Sequence, residues 1–225
     1  YITTNPEFFS GFFLIYLPNK IKNIKMTKKI TLFVIAMFSL TIASAQVKLE
    51  KIKGSKIVTV TTKEVESFEN VEIEEFLDVY FVKNEKTSIE IEADDNLHDI
   101  ISYNVLGNTL KITALKQPTG EKKLAIRVNY NDSLKTIVAR HESKINALAD
   151  ISLENITIKN FDKSQSFLNI RSTNFTLIMT DKSKAEINVK ADKTVVELSK
   201  DAKVKGLIAS PEAKIDLYQK AEAEI

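Results

Sequence analysis

The chain has 225 residues, of which 44% are hydrophobic, 28% charged and 8% aromatic. With only 5 Gly and 4 Pro, this composition is that of a globular protein of about one domain, and it excludes the collagen-like and disordered classes. Because the sequence contains no Cys, disulfide scaffolds and metal sites with thiolate ligands are excluded as well.

The formal net charge of +2 comes from the N-terminal segment. Residues 1–45 contain five Lys and one Glu, and without them 27 basic and 29 acidic residues remain, with the two signs interspersed. A nucleic-acid-binding protein should carry a basic stripe, and the remaining sequence shows none. We therefore expect no nucleic-acid partner.

Residues 26–45 have the pattern of a secretory signal peptide. The pattern consists of a start, a positive region, an apolar run and a small-residue site: Met26, Lys28, Lys29, Ile30–Ile42 and Ala43-Ser44-Ala45. The apolar run is shorter than the roughly 20 residues that a membrane-spanning helix needs. We therefore expect cleavage between Ala45 and Gln46, and no stable membrane span in the mature chain.

Both ends of the sequence carry expectations of their own. Sixteen of residues 1–25 are Phe, Ile, Lys, Asn or Tyr, whose codons are AT-rich, so we expect this segment to be translated upstream DNA without a structural role. Because no Cys follows the signal pattern, the exported protein is predicted not to be a lipoprotein. The chain stops at Glu224-Ile225 inside a periodic pattern, which predicts a truncated C-terminus.

From Gln46 onward the sequence alternates between apolar and polar residues, as half-buried strands do. The clearest segments are Lys56–Thr62, Asn70–Glu74, Leu77–Val82, Ser88–Glu92, Thr109–Ala114 and Leu124–Tyr130. One short helix of one or two turns is predicted over Asp94–Ser102, with Asp94 or Asp95 as its cap. Because no linker divides this region, residues 46–225 are predicted to form a single β domain.

The C-terminal half contains a repeat whose period is roughly 20 residues, within the range of solenoid repeats. Asp162, Asp181 and Asp201 each lie beside a Lys in a turn-like stretch, at nearly equal intervals along the chain. Aligned on these turns, four repeats offer sixteen apolar positions. These are Ala149, Ile151, Ile156, Ile158; Leu168, Ile170, Phe175, Leu177; Ile187, Val189, Val196, Leu198; and Leu207, Ala209, Ile215, Leu217. The residues between each apolar pair are polar, with Ile208 as the exception.

A helix-free repeat of this length is typical of a solenoid, in which each coil of the chain, called a rung, stacks on the one before. The predicted fold class is therefore all-β, with a parallel β-helix or β-roll in the C-terminal half. A meander of evenly spaced antiparallel hairpins is the alternative that this pattern leaves open.

Four segments of the sequence resemble the opening of a known family, the head GIN domain family or "putative auto-transporter adhesin", a domain of unknown function. The segments are Ser67–Ile73, Leu77–Val82, Ile89–Leu97 and Gly107–Ile112. The resemblance covers about residues 54 to 225. It implies a β-solenoid exported by Bacteroidetes-type bacteria, with no established activity and no catalytic residues to carry over. The chain departs from many members in having Asp-Lys-Ser-like turns where those have Gly-Ser-Gly.

The residue types that carry catalysis or metal binding form no recognisable motif. His98 and His141 are far apart in the sequence and lie outside any zinc-binding pattern. The acidic stretch Asp94–Asp99 lacks the frame of a calcium loop. Neighbouring Lys residues are expected to neutralise the column of Asp162, Asp181 and Asp201. We therefore predict no catalytic residue, no metal and no cofactor.

The predicted surface-binding residues are Tyr103, Tyr130 and Tyr218, since sugar clefts usually present exposed aromatic faces and the sequence has no Trp. We expect an exported, non-enzymatic binding or structural module of the cell envelope or cell surface, adhesin-like, with a glycan or envelope protein as partner. An open solenoid end would expose strand edges and favour pairing with another chain.

Two alternatives stay open. The first is a polysaccharide-active enzyme of the β-helix type, which would need a carboxylate cluster with a basic partner in a groove. The second is a periplasmic module that senses envelope components. The location is expected to be the periplasm, the cell surface or the extracellular space.

Overall fold

The computed structural model describes residues 49–225, which form strands, turns and a single short helix. The strands are β1 (Lys51–Lys53), β2 (Val58–Glu64), β3 (Asn70–Glu74), β4 (Asp78–Lys83), β5 (Ser88–Asp94), β6 (Ile101–Leu106), β7 (Thr109–Ala114), β8 (Gln117–Thr119), β9 (Leu124–Tyr130), β10 (Thr136–Ala139), β11 (Lys144–Ala147), β12 (Ile151–Asn160), β13 (Gln165–Met179), β14 (Lys184–Leu198), β15 (Lys203–Ala209), β16 (Glu212–Leu217) and β17 (Glu222–Glu224). The predicted helix is a 3₁₀ helix, Asp95–Ile100. The all-β prediction is therefore confirmed.

Two columns of hydrogen-bonded parallel strands organise the domain. Column A runs through β7, β3, β10, the second part of β12, β13 and β14, and then β16. Column B runs through β9, β4, β11, the first part of β13 and β14, then β15 and β17. The inward apolar residues of both columns belong to one buried core, except on the last strand of column A, where Ile215 and Leu217 are exposed.

In the C-terminal strands the pairing register is constant. Ile151 pairs with Ile170, Ile170 with Val189 and Val189 with Ile208. The same interval, a sequence separation of 19, joins the stacked side chains of Asn169 and Asn188. The first rung is slightly longer, since Ile137 pairs with Ile158. The repeat that the sequence predicts is therefore present, and its strands pair in parallel.

The sheet as a whole is mixed, which corrects the expectation of a wholly parallel fold. Column A is extended by the antiparallel pair of β6 and β7, and column B by antiparallel β9–β5 and β5–β2 pairs, so that the sheet is open and curled. For β6 and β7 the cause is the length of the connection. Gly107-Asn108 is a two-residue turn, and only antiparallel neighbours can be joined by so short a link.

A residue in the left-handed region closes the turn of each rung. Asp162, Asp181, Lys200 and Gln219 have φ values of 59°, 64°, 60° and 61° and follow one another at the constant register. The predicted alignment placed Asp201 in this column, and the structure places Lys200 there instead. The Asp201 N–H donates to the Asp181 carbonyl at 2.9 Å and so occupies the next place in the turn. A continuous column of carboxylates does not form, because the Lys200 ammonium contacts Asp181.

The last rung shows a second correction. Leu207 and Ala209 were predicted to point inward, but Leu207 is 70% exposed and Ile208 packs against the core. The sequence alignment, which followed Asp201, placed this apolar pair one position too late in the chain. A one-residue shift of a strand moves every side chain to the opposite face, which explains both the error and the one apolar residue among the predicted outward positions.

Glycine is required at one position of this rung. Gly206 pairs with Ile187, and a Cβ atom on Gly206 would lie 1.6 Å from the Ile187 carbonyl oxygen. Its φ of 146° is also one that residues with a side chain rarely adopt. The backbones of β14 and β15 therefore approach each other in a way that only Gly allows.

The buried carboxylate of Asp94 links separate segments of the backbone at the N-terminal end of the domain. It accepts hydrogen bonds from the backbone N–H groups of Lys56 at 2.9 Å, Lys122 at 3.1 Å and Lys123 at 3.0 Å. Burial raises the pKa of this carboxyl, but the three backbone hydrogen bonds outweigh burial and leave the pKa below its usual value. Asp94 is the N-cap residue of the 3₁₀ helix, at one of the two predicted positions, but its side chain makes no capping hydrogen bond to that helix.

Candidate ligand-binding face

The outward side chains of column B, together with those of the adjoining β5, form what we call the column B face. Along each strand these side chains alternate with buried ones, as at Tyr80, which lies between the buried Val79 and Phe81. Four clefts of about 200, 240, 400 and 560 Å³ are lined by residues of this face and of the turns beside it. A further depression of about 910 Å³ lies between the loops 83–85 and 131–133.

A row of three side chains runs across the centre of this face. Tyr80 pairs with Asn146, and Asn146 pairs with Phe167, so the three side chains stand beside each other on β4, β11 and β13. The two rings are two strand spacings apart, which is about 10 Å. Phe167 is 37% exposed and Tyr80 is half-buried. Two aromatic side chains, separated by an amide, therefore face solvent on this surface.

A second row adds amides and an exposed aliphatic side chain. Asn169, Asn188 and Leu207 lie side by side on β13, β14 and β15. The Asn188 amide nitrogen donates to the Asn169 carbonyl oxygen at 2.9 Å, as in the side-chain ladders of stacked strands. Leu148, 60% exposed, lines the cleft that contains Tyr80. The face thus combines apolar surface with uncharged hydrogen-bonding groups.

Four basic side chains on this face are paired with acidic ones. Arg127 contacts Glu90 at 2.5 Å, Lys123 contacts Glu92 at 3.3 Å and Lys205 contacts Glu224 at 2.9 Å. Arg171 forms a further pair with Asp150. Each basic group named here therefore has an acidic partner, and the pairs add no net charge to the surface.

One end of the face is a cleft of about 400 Å³ that contains three acidic and two basic side chains. Lys163 contacts Glu142 at 2.9 Å, and Lys144 lies 3.8 Å from Asp78. Burial raises the pKa of the Asp78 carboxyl; nearby Lys144 opposes this rise, and the Glu121 carboxylate adds to it. Oxygen Oε2 of Glu121 is buried and makes no hydrogen bond to any described residue. A carboxyl whose pKa is raised by burial and by a second carboxylate is a group suited to acid–base chemistry.

The comparisons with known proteins give the family. Residues 67–225 match the family model described as "Putative auto-transporter adhesin, head GIN domain". The chain belongs to this family. The family model spans the second predicted strand to the last rung, so it includes the whole column B face.

Two solved structures with a similar fold come from Parabacteroides distasonis. One is a "putative lipid binding protein" from Parabacteroides distasonis, with 13% identity, a TM-score of 0.68, and coverage of 78% of this chain and 76% of that one. Another is a "putative adhesin" from the same species, with 15% identity, a TM-score of 0.62, and coverage of 77% and 84%. At these sequence identities the similarity shows a shared fold and nothing about function. Among curated proteins no match is found.

The three tyrosines predicted to bind at the surface are not brought together in this head GIN domain. Tyr130 is 1% exposed and its ring packs 6.2 Å from that of Phe81, so the prediction that it lies on the surface was wrong. Burial, helped by Asp132, raises the pKa of the Tyr130 phenol to about 12. Tyr103 is half-buried on β6, while Tyr218, 56% exposed, follows β16 at the other end of column A. Binding by Tyr103 or Tyr218 stays a prediction.

The two aromatic residues of the column B face were missed by sequence reasoning, although a signal existed. Tyr80 and Phe167 occupy outward positions in the alternation that predicted β4 and the second repeat. Their proximity could not be read from the sequence, because β4 and β13 meet only through β11, and six other strands lie between β4 and β11 along the chain. The predicted cleavage residues Ala43, Ala45 and Gln46 lie outside the described residues.

The histidines and the rung turns serve structural contacts in the described part of the chain. The His141 ring contacts Glu75 at 2.8 Å and lies 3.9 Å from Asp162, tying three turns together. The His98 ring lies within hydrogen-bond distance of Thr59 and Thr61 on β2. Within residues 49–225 no group of three or more His, Asp or Glu side chains is arranged to hold a metal ion. The same range holds no helix with the length and apolar character required to cross a bilayer.

Proposed function

We propose that this head GIN domain is an exported, non-enzymatic binding module of the cell envelope, adhesin-like, that presents the column B face to its ligand. The observation that carries the proposal is the gathering of clefts, two partly exposed aromatic rings and uncharged amides on one regular face. Strand columns of this kind hold surface side chains at fixed spacing, which suits recognition of an extended or repetitive partner. Membership of a family described as adhesins supports the same conclusion.

Export and surface exposure are part of this proposal. They are supported by the signal-peptide pattern of residues 26–45, with cleavage after Ala45, and by the family description. Protease shaving of intact cells that make the full-length protein tests the location, with lysed cells as control. Rapid loss of the protein from intact cells is expected. Protection until lysis would contradict surface exposure and favour the periplasmic envelope-sensing alternative.

The finer fold assignment is also a proposal: we infer that residues 136–225 wind as a parallel β-helix. The constant register and the hydrogen bonds between successive turns support it. In the last rung, Ile215 and Leu217 are 40% and 47% exposed, so a second chain that stacked there would cover apolar surface. Light scattering over a range of concentrations tests this pairing, which a mass independent of concentration would contradict.

A polysaccharide-active enzyme is the second candidate, because the 400 Å³ cleft holds the carboxylate cluster with basic partners that such an enzyme needs. In that case Asp78, with its raised pKa, would donate a proton to the leaving oxygen. Release of reducing ends from acidic and neutral polysaccharides by the purified protein, lost in Asp78→Asn but kept in Tyr218→Phe, would establish this activity. No release from any substrate is what the binding-module proposal expects.

A further inference from the structure

We propose that the ligand of the column B face is an uncharged glycan chain, laid across the strands so that its sugar rings stack on Tyr80 and Phe167. This inference rests on the proposed binding function and names the chemical class of the ligand. It is carried by the juxtaposition of two aromatic side chains, the exposed Phe167 and the half-buried Tyr80, with uncharged amide groups and paired charges on one face.

The spacing of the rings is the first argument. Tyr80 and Phe167 lie in one row, two strands apart, at about 10 Å. That separation is close to the length of two linked sugar residues, so alternate residues of one chain can reach both rings. An aromatic face offers a large rigid apolar surface at a low cost in side-chain entropy, and the C–H faces of sugars suit such a surface. The row therefore fits a chain that runs along the column.

The amide groups are the second argument. The Asn146 amide nitrogen donates to the Val79 carbonyl oxygen at 3.4 Å, and among the described residues no hydrogen bond involves its own carbonyl oxygen. Asn188 donates to Asn169, and among the described residues no hydrogen bond involves the Asn169 amide nitrogen. Each amide carries two donors and an acceptor, so both can donate to and accept from sugar hydroxyl groups.

Charge selects an uncharged ligand over an ionic one. Arg127, Lys123, Lys205 and Arg171 already contact Glu90, Glu92, Glu224 and Asp150, respectively. An acidic polysaccharide or an anionic lipid headgroup would reach one of these four groups only by displacing its carboxylate, whereas a neutral chain leaves all four pairs intact. Lys190 and Glu186, both exposed on β14, form no salt bridge with a described residue, and their opposite charges balance each other. The clefts along the face are open to solvent and lined by polar groups, unlike the enclosed apolar cavity that a lipid tail requires.

The test uses the purified exported protein and polysaccharides of known charge. Affinity electrophoresis through gels that contain laminarin, a linear β-1,4-mannan or hyaluronan compares two neutral chains with one acidic chain, and calorimetry with chitohexaose adds a soluble neutral oligomer. Vesicles of phosphatidylglycerol test an anionic lipid surface. We expect retardation by at least one neutral chain, with an affinity that changes little between about 0.05 and 0.5 M salt, since no counterions are released.

Variants locate the contact. Phe167→Ala should weaken binding roughly tenfold, which corresponds to about 1.4 kcal/mol, while Phe167→Tyr should restore it. Leu106→Ala is the control, because Leu106 is also an exposed apolar residue, 58% exposed, but lies on β6 beside column A. It should leave the affinity unchanged. Phe167 is partly exposed, so the thermal melt of Phe167→Ala should remain close to that of the parent protein.

Three results would overturn the inference. They are retardation by hyaluronan or phosphatidylglycerol alone with strong salt dependence, neutral binding that Phe167→Ala does not alter, and no binding to any of these probes. The proposed binding function is tested separately, by binding of the same protein and the Phe167→Ala variant to isolated cell envelopes. Loss of envelope binding in Phe167→Ala without any neutral-glycan binding would keep the binding module and reject the glycan. Unchanged envelope binding in Phe167→Ala would reject the column B face as the contact.

Discussion

The two halves of this head GIN domain are built from the same kind of strand, but they differ in how far along the chain each strand finds its partner. In the C-terminal half Leu177 pairs with Val196, on the strand that follows directly in the sequence. In the N-terminal half Val71 pairs with Ile137 and Val79 with Ile145, and six other strands separate each pair along the chain. The repeating half therefore depends on neighbouring rungs, whereas the N-terminal half depends on closing long loops.

This difference has a consequence for stability. Where each rung contacts only the next, a local defect should open a local part of the structure, as in other repeat architectures. Where strands from distant parts of the sequence are interleaved, a defect should loosen them all together. The N-terminal half also carries antiparallel strands and the buried Asp94 carboxylate, which have no counterpart among the regular rungs.

The largest effects are expected for Phe81→Ala and Phe175→Ala, both at residues that are 1% exposed. Each substitution should lower the free energy of unfolding by about 3–5 kcal/mol, as measured by urea denaturation. The reach of the two changes should differ. Hydrogen exchange should increase throughout β3, β4, β9 and β11 in Phe81→Ala, but mainly in β12 to β14 in Phe175→Ala. Equal increases everywhere in both variants would show that the two halves unfold as one unit.

A smaller effect is expected when Gly206 in the last rung is replaced. The Gly206→Ala change places a methyl group against the Ile187 carbonyl oxygen and forces an unfavourable φ, so it should destabilise the domain by about 1–3 kcal/mol. Gly107→Ala is the control, because Gly107 also has a positive φ but no atom lies within 4 Å of the added Cβ. Urea midpoints should fall further for Gly206→Ala than for Gly107→Ala. The reverse order would show that the close approach of β15 to β14 at Gly206 does not contribute to the free energy of unfolding.

Asp94 gives a pH dependence that belongs to the N-terminal half. Because its folded pKa lies below the unfolded value, the stability it contributes is present above the unfolded pKa and is lost as the pH falls through the folded pKa. Asp94→Asn should therefore be less stable than the parent at pH 7, and the two unfolding curves should converge in acid. A difference that stays constant from neutral to acidic pH would contradict the role of the carboxylate. As the pH falls, hydrogen exchange should increase first near β2 and in the loop 120–123.

The smallest effect is expected for an exposed ion pair between rungs. Lys193 contacts Glu212 at 2.7 Å, and both side chains are more than half exposed. Lys193→Ala should therefore cost less than about 1 kcal/mol. The cost should disappear in about 1 M salt, because charges at the surface are screened there. A larger or salt-independent loss would mean that the stem of Lys193, not its charge, supports β14 against β16.

Much of the fold was accessible from the sequence, and the errors have a common cause. The alternation around Val79 and Ile89 predicted β4 and β5, and the spacing of Asp162 and Asp181 predicted the repeat and nearly its register. The register of the last rung was wrong by one residue because the alignment followed residue identity at Asp201. The structure follows backbone hydrogen bonds, which place Lys200 in the turn column.

The candidate face could be predicted only in part. Periodicity shows that Phe167 points away from the core, but it does not show which side chains from other strands lie beside it. Tyr130 illustrates the opposite error, since it ends a predicted strand as a surface residue would and yet packs against Phe81 in the core. Single-chain patterns give the side of a strand on which a residue lies, and not the neighbours that cover it.

The sequence by itself determined the all-β class, the short helix and the repeating turns, because period and turn chemistry are local properties of the chain. Only the tertiary structure decided that the sheet is mixed, that β3 and β4 join the rungs through β10 and β11, and that Tyr80 stands in line with Phe167. Those pairings join strands that are far apart in the chain, and their free energy comes from burying distant strands together, which no local pattern encodes.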